Sequence, residues 1–141
     1  MPTDIDKDEV LAVYPKVAET MADALGCTVE QLGLDVPLIE GLDAESIDFL
    51  DIVFRLERTF KIKIPRGKIV EDARGDLSEA EFEHKGYLTD AGLQRLRDYL
   101  SEVPADRFQR PMKVADIPHL FTVETFCRVV ARARRASGTA Q

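Results

Sequence analysis

No apolar run in the sequence approaches 18 residues, so no stretch reads as a membrane-spanning helix. Cysteine is scarce. Cys27 and Cys127 stand 100 positions apart and make neither a metal quartet nor a CxxC pair, which points to a reducing, cytoplasmic setting with both thiols free. His84 and His119 are the only histidines, and neither has a helix-spaced carboxylate or cysteine beside it, which argues against zinc. The P-loop, the dinucleotide glycine fingerprint and the nucleophile elbow are all missing, and with them the commonest phosphate-binding and hydrolytic signatures. Asp4, Asp6 and Asp8 imitate the start of a calcium loop, but Glu9 stands where its glycine belongs and Pro15 where its bidentate glutamate belongs. Residues 1–9 carry four acids and one lysine around no apolar core, so they do not read as a signal peptide.

What is present is an ordinary globular composition with an uneven charge. The 141 residues are 45% hydrophobic, enough for one folded domain or a small domain with an elaboration. The net charge is −7, from 19 basic and 26 acidic residues. Residues 1–51 hold 13 acids and 2 bases, residues 52–110 hold 11 and 12, and residues 111–141 hold 2 and 5. The acidic first third would repel phosphates, so no nucleic-acid surface is expected there; it would attract a partner with a basic patch. The arginines of the tail, Arg128, Arg132, Arg134 and Arg135, are too few and too local to reverse that reading.

The first amphipathic helix is predicted from Val10, Val13, Tyr14, Val17, Met21 and Leu25, with Asp4 or Asp6 as its cap, Gly26 at its end and a kink or restart at Pro15. Residues 27–42 read as a long loop with one turn of helix. The clearest helix runs from Ser46 to Phe60, with Ile47, Leu50, Val53, Phe54 and Phe60 as its apolar side and Asp48, Asp51, Arg55 and Arg58 outside it; Ile62, Ile64 and Pro65 end it. A last helix is predicted from Thr122, with Glu124 in its first turn and Val123, Phe126, Cys127 and Val130 buried. Between Pro65 and Thr122, glycines and prolines punctuate a segment in which Thr89 caps a helix bearing Leu93, Leu96 and Leu100 on one face.

Ser46 lies between the glycine-containing loop and the strongest helix. Taken alone it is a helix N-cap, worth roughly 1 kcal/mol. A helix N-terminus also suits a phosphate, because unpaired amides and the helix dipole favour an anion there. The wider pattern decides between the two readings. The run SIDFLDIVFRLERTFKIKIP, from Ser46 to Pro65, resembles the second helix of acyl carrier proteins: a serine opening an acidic amphipathic helix, a leucine–glutamate pair, a phenylalanine and a closing isoleucine–proline, all without a gap. Residues 38–42 are similar to that family's approach to the serine, residues 10–26 to its first helix and Thr122–Val123 to the start of its last. The resemblance spans about residues 5–65 and 112–134.

The resemblance implies an all-α fold, a four-helix bundle with an inserted helical segment between the second helix region and the last helix. It would be a single carrier domain over 1–141, with 66–111 as the insertion and 136–141 as a flexible tail. It implies that Ser46 receives 4′-phosphopantetheine from coenzyme A through a phosphopantetheinyl transferase and carries an acyl chain as a thioester. Acyl-chain synthases and acyltransferases of fatty acid or specialised lipid biosynthesis would be the partners of a monomeric carrier that is not itself an enzyme. Asp43, Glu45, Asp48 and Asp51, with Arg55 and Arg58, are the expected partner-recognition residues. Leu50, Phe54, Leu93, Leu96 and Leu100 are the expected lining of an acyl cavity. The alternative is an interaction module of the same fold that is never modified.

Three features depart from the family pattern. Glu45 and Ile47 flank the serine where aspartate and leucine are usual, and the change moves the carboxylate by one methylene. The second half of the helix region is basic, through Arg55, Arg58, Lys61 and Lys63, which should change partner choice. Residues 66–122 replace a link of about ten residues, a lengthening that costs only about 1.5 kcal/mol of loop entropy.

Overall fold

The computed structural model describes residues 5–42, 44–64, 68–108 and 111–137. Its elements in order are α1 (Lys7–Leu25), a 3-10 turn (Val29–Gln31), α2 (Leu38–Leu42), α3 (Ser46–Phe60), α4 (Lys68–Arg74), α5 (Glu79–Phe82), β1 (Glu83–His84), β2 (Tyr87–Leu88), α6 (Asp90–Tyr99), two further 3-10 turns (Ala105–Arg107 and Val114–Leu120) and α7 (Val123–Ser137). The chain divides into two compact units, one of residues 1–64 with 122–141 and one of residues 65–121. The second unit therefore runs past residue 111, to Phe121. Of the expected tail, residues 136 and 137 belong to α7, and residues 138–141 lie outside the described residues.

The first unit is all-α and contains α1, α2, α3 and α7, as the four-helix reading requires. Asp6 caps α1 by accepting from the Glu9 amide at 2.9 Å, and Glu9 returns the bond by accepting from the Asp6 amide at 3.2 Å. Asp4, the other candidate cap, lies outside the described residues. Gly26 ends the helix in the left-handed region, φ 68°, which a residue with a Cβ would enter at a cost. α1 runs unbroken through Pro15, so the helix does not restart there. The ring removes only the donor for the Leu11 carbonyl, at a position half open to water (Leu11 is 51% exposed), while Val13 and Val17 on either side are buried.

α1 packs against both α7 and α3. The core gathers Val10, Val13, Val17 and Met21 from α1, Ile52 and Leu56 from α3, and Val123, Phe126, Cys127 and Val130 from α7. Phe49 stacks on Phe126 with ring centroids 6.0 Å apart. The first amides of α7 are satisfied by the loop before α2: Val123 donates to the Val36 carbonyl at 3.1 Å and Glu124 to that of Leu34 at 2.9 Å. Thr122 and Thr125 exchange amide-to-hydroxyl bonds of 3.0 and 3.2 Å, which fixes the start of α7 where the sequence placed it. Arg128 pairs with Glu124 at 3.0 Å, both side chains almost fully covered, and Arg135 pairs with Glu9. Arg134 lies 5.9 Å over the Phe60 ring. These arginines thus serve the bundle's own seams.

The second unit is built around α6. Thr89 caps it, its hydroxyl accepting from the Gly92 amide at 2.9 Å. Leu93, Leu96 and Leu100 are buried, as their spacing predicts. α6 packs on α4 and α5. The approach to α5 is close enough to demand glycine: a Cβ at Gly92 would lie 2.1 Å from the Phe82 carbonyl oxygen. β1 and β2 form a two-residue-per-strand hairpin, Glu83 opposite Leu88 and His84 opposite Tyr87. Lys85 (φ 54°) and Gly86 (φ 85°) turn it in the left-handed region, as tight hairpins require.

Candidate functional site

The N-terminus of α3 is held from both sides. Upstream, the Gly41 amide bonds the Pro37 carbonyl at 2.8 Å and the Ala44 amide bonds that of Leu38 at 3.1 Å, with Leu38 and Ala44 both buried. Downstream, the Asp48 carboxylate accepts from the Glu45 amide at 2.8 Å. Glu45 is extended (φ −114°, ψ 171°) and is the N-cap. Ser46 is therefore not the cap, as the simpler reading had it, but the first residue of the helix proper. That difference matters: an N-cap hydroxyl is turned back on the helix amides, whereas the first helical position has no such structural duty. Asp43 and the side chain of Ser46 lie outside the described residues.

The residues flanking the serine are open to solvent: Glu45 is exposed, and Ile47 is 70% exposed. A serine supplies the hydroxyl that a phosphodiester link to phosphopantetheine needs. That chemistry fits the group.

The buried face of α3 differs from the one its apolar spacing predicts. Ile47, Leu50 and Phe54 do not share the buried side. Ile52 and Leu56 are fully buried, with Phe49, Val53 and Phe60 half-buried beside them, whereas Leu50 is 36% and Phe54 60% exposed. Phe54, and to a lesser degree Leu50, thus faces solvent rather than the bundle interior expected of acyl-cavity residues. At 100° per residue Ile47, Phe54 and Arg58 fall within about 40° of one another, on the side opposite Ile52 and Leu56. Leu50 borders them, so the helix carries an exposed apolar stripe running from the serine end. One signal in the sequence marks this face: Asp51, Arg55 and Arg58 fall on the same side as Ile47 and Phe54.

Of the expected recognition residues, Glu45 is exposed and Asp48 half-buried. Asp51 and Arg55 are spent on each other, with their ion pair at 3.0 Å, and Arg58 is exposed. Leu93, Leu96 and Leu100 come together on α6, in the other unit, where α4 and α5 pack. A recess of about 130 Å³ opens between α1 and α7, bordered by Glu9, Ala12, Val13, Ala131, Arg134 and Arg135. Among the described residues no group of three or more His, Cys, Asp or Glu could hold a metal ion, and no helix is long and apolar enough to cross a membrane.

Comparison with known proteins agrees with this geometry. Residues 15–74 match the model of the family described as "Phosphopantetheine attachment site". An acyl carrier protein AcpXL of Rhizobium meliloti is 34% identical over 74 residues, 52% of this chain and 78% of that protein. The acyl carrier protein AcpXL of Mesorhizobium japonicum is 34% identical over 59 residues, 42% of this chain and 63% of that protein. An acyl carrier protein of Bdellovibrio bacteriovorus is 29% identical over 55 residues, 39% of this chain and 70% of that protein. No solved structure matches. The chain belongs to the acyl carrier protein family and bears the 4′-phosphopantetheine group that family is built around.

Proposed function

We propose that Ser46 is the attachment residue and that the protein is a specialised acyl carrier. The observation that carries the reading is the position of Ser46: first residue of α3, between exposed Glu45 and Ile47, inside the matched residues 15–74. Transferred from coenzyme A by a separate phosphopantetheinyl transferase, the group supplies a terminal thiol on which an acyl chain is held as a thioester. The protein itself positions: α3 presents the arm, and its exposed Ile47, Leu50 and Phe54 give acyl-chain synthases and acyltransferases of fatty acid or specialised lipid biosynthesis an apolar surface to dock on. It catalyses nothing, and it works as a monomer in the cytoplasm.

Incubation with coenzyme A and a permissive phosphopantetheinyl transferase tests this directly by intact mass. The wild type gains one phosphopantetheine and Ser46→Ala gains none. A wild type that gains nothing is an unmodified interaction module; a gain that persists in the alanine variant moves the attachment elsewhere.

A further inference from the structure

The exposed face of α3 changes charge along its length. At the serine end stand the carboxylates of Glu45 and Asp48, the latter bonded to the Glu45 amide. In the middle, Asp51 and Arg55 cancel each other across their 3.0 Å ion pair. Beyond the apolar stripe come Arg58, Lys61 and Lys63, all exposed and none in an ion pair among the described residues. Arg58 lies on the same helical face as Ile47 and Phe54, and Lys61 closes the helix in the left-handed region at φ 57°. Cations in the last turn complement the helix dipole, which accounts for Arg58. Lys63 lies beyond the helix, where the dipole gives no reason for a third.

We propose that Arg58, Lys61 and Lys63 select the carrier's partners: the enzyme surface that docks on the Ile47–Leu50–Phe54 stripe is cationic opposite the serine end and carries carboxylates opposite the far end of α3. The inference rests on the carrier reading above. A docking surface that is basic throughout would bring its cations against three exposed cations beside a desolvating apolar contact, where repulsion is least screened. A surface with carboxylates at that end turns the same three charges into steering and register, effects worth ten-fold to a thousand-fold in association rate. The exposed bases at one end thus fix both the polarity of docking along the helix and the class of enzyme admitted.

A charge-swap cycle tests it. The carriers are the wild type and the triple variant Arg58→Glu, Lys61→Glu, Lys63→Glu. The enzymes are a phosphopantetheinyl transferase whose carrier-docking surface is basic throughout, and the same transferase with the bases facing the far end of α3 replaced by glutamate. The readout is kcat/KM for loading at low ionic strength. The expected result is a crossed preference, the wild type loaded about ten-fold better by the altered enzyme and the triple variant by the unaltered one, with the crossing collapsing in high salt. If both carriers prefer the same enzyme, or neither discriminates, the proposal is overturned while the carrier reading stands. Absence of any mass gain in all four combinations overturns both together. The matching triple glutamine variant keeps the cycle readable should the glutamates perturb folding, and it should lie between the other two carriers. Sedimentation that shows a wild-type dimer abolished by Phe54→Glu would give the face to a second copy of the chain and overturn the proposal.

Discussion

Cys127 shows how much one burial decides. It sits on the inner face of α7, fully covered, and its thiol is pushed up to about 12 by that burial and by the neighbouring Glu124 carboxylate. Cys27, at the end of α1, is only half-buried. The two cysteines that looked alike in the sequence are therefore chemically distinct, because a thiol reacts as its thiolate. Raised in the folded state, the Cys127 pKa makes a stabilising contribution that is complete below about 9, the ordinary value, and lost as pH climbs from there toward 12. Denaturation midpoints across that window should fall more steeply for the wild type than for Cys127→Ala, by at most about 1.4 kcal/mol per pH unit. Equal slopes would show that the thiol titrates normally.

At the scale of the element, α1 and α3 stand on opposite sides of what a helical pattern can reveal. The apolar positions of α1 fall on one stripe, and the structure buries that stripe with the predicted caps, Asp6 and Gly26, at its ends. Pro15 is the flaw the sequence overestimated, since a missing amide matters little where the orphaned carbonyl faces water. Pro15→Ala should restore the Leu11 hydrogen bond and raise stability by only about 0.5–1.5 kcal/mol, read as a slightly higher urea midpoint at unchanged slope; an unchanged or lower midpoint would mean the proline's restriction of the unfolded chain outweighs the bond. α3 is harder to read because its apolar arc is wider than the part that is buried. Asp48, Asp51, Arg55 and Arg58 gather on one side, but Ile47, Phe49, Leu50, Ile52, Val53, Phe54 and Leu56 cover the rest, so periodicity alone does not pick out which of them face inward. The outward set, Ile47, Leu50 and Phe54, departs from the simple rule of apolar inside. The hairpin of residues 83–88 escaped for another reason: strands of two residues have no period to detect.

At the scale of the whole molecule, the 57 residues from 65 to 121 form a unit with its own capped helix, hairpin and buried side chains. Its helix α6 was legible from the leucine spacing; α4 was not, because seven residues are barely two turns and the pattern is too short to stand out. The carrier unit likewise holds its own core of α1, α3 and α7. Replacing residues 65–121 by a flexible link of about ten residues should leave a helical protein that melts cooperatively and is still loaded at Ser46. Loss of cooperative melting would show that the carrier depends on the segment for stability.

The order of the chain makes the Ser46 unit a late one to close. Its helix α3 precedes the intervening unit and its partner α7 follows it, while Val36 and Leu34 wait to receive the first amides of α7. On the ribosome, residues 65–121 are contiguous and can fold as they emerge, whereas α1 and α3 stay without their third wall until more than sixty further residues have been made. A nascent chain therefore displays its serine before it has a bundle to display it on. Synthesis itself thus delays the finished carrier until after its intervening unit is in place.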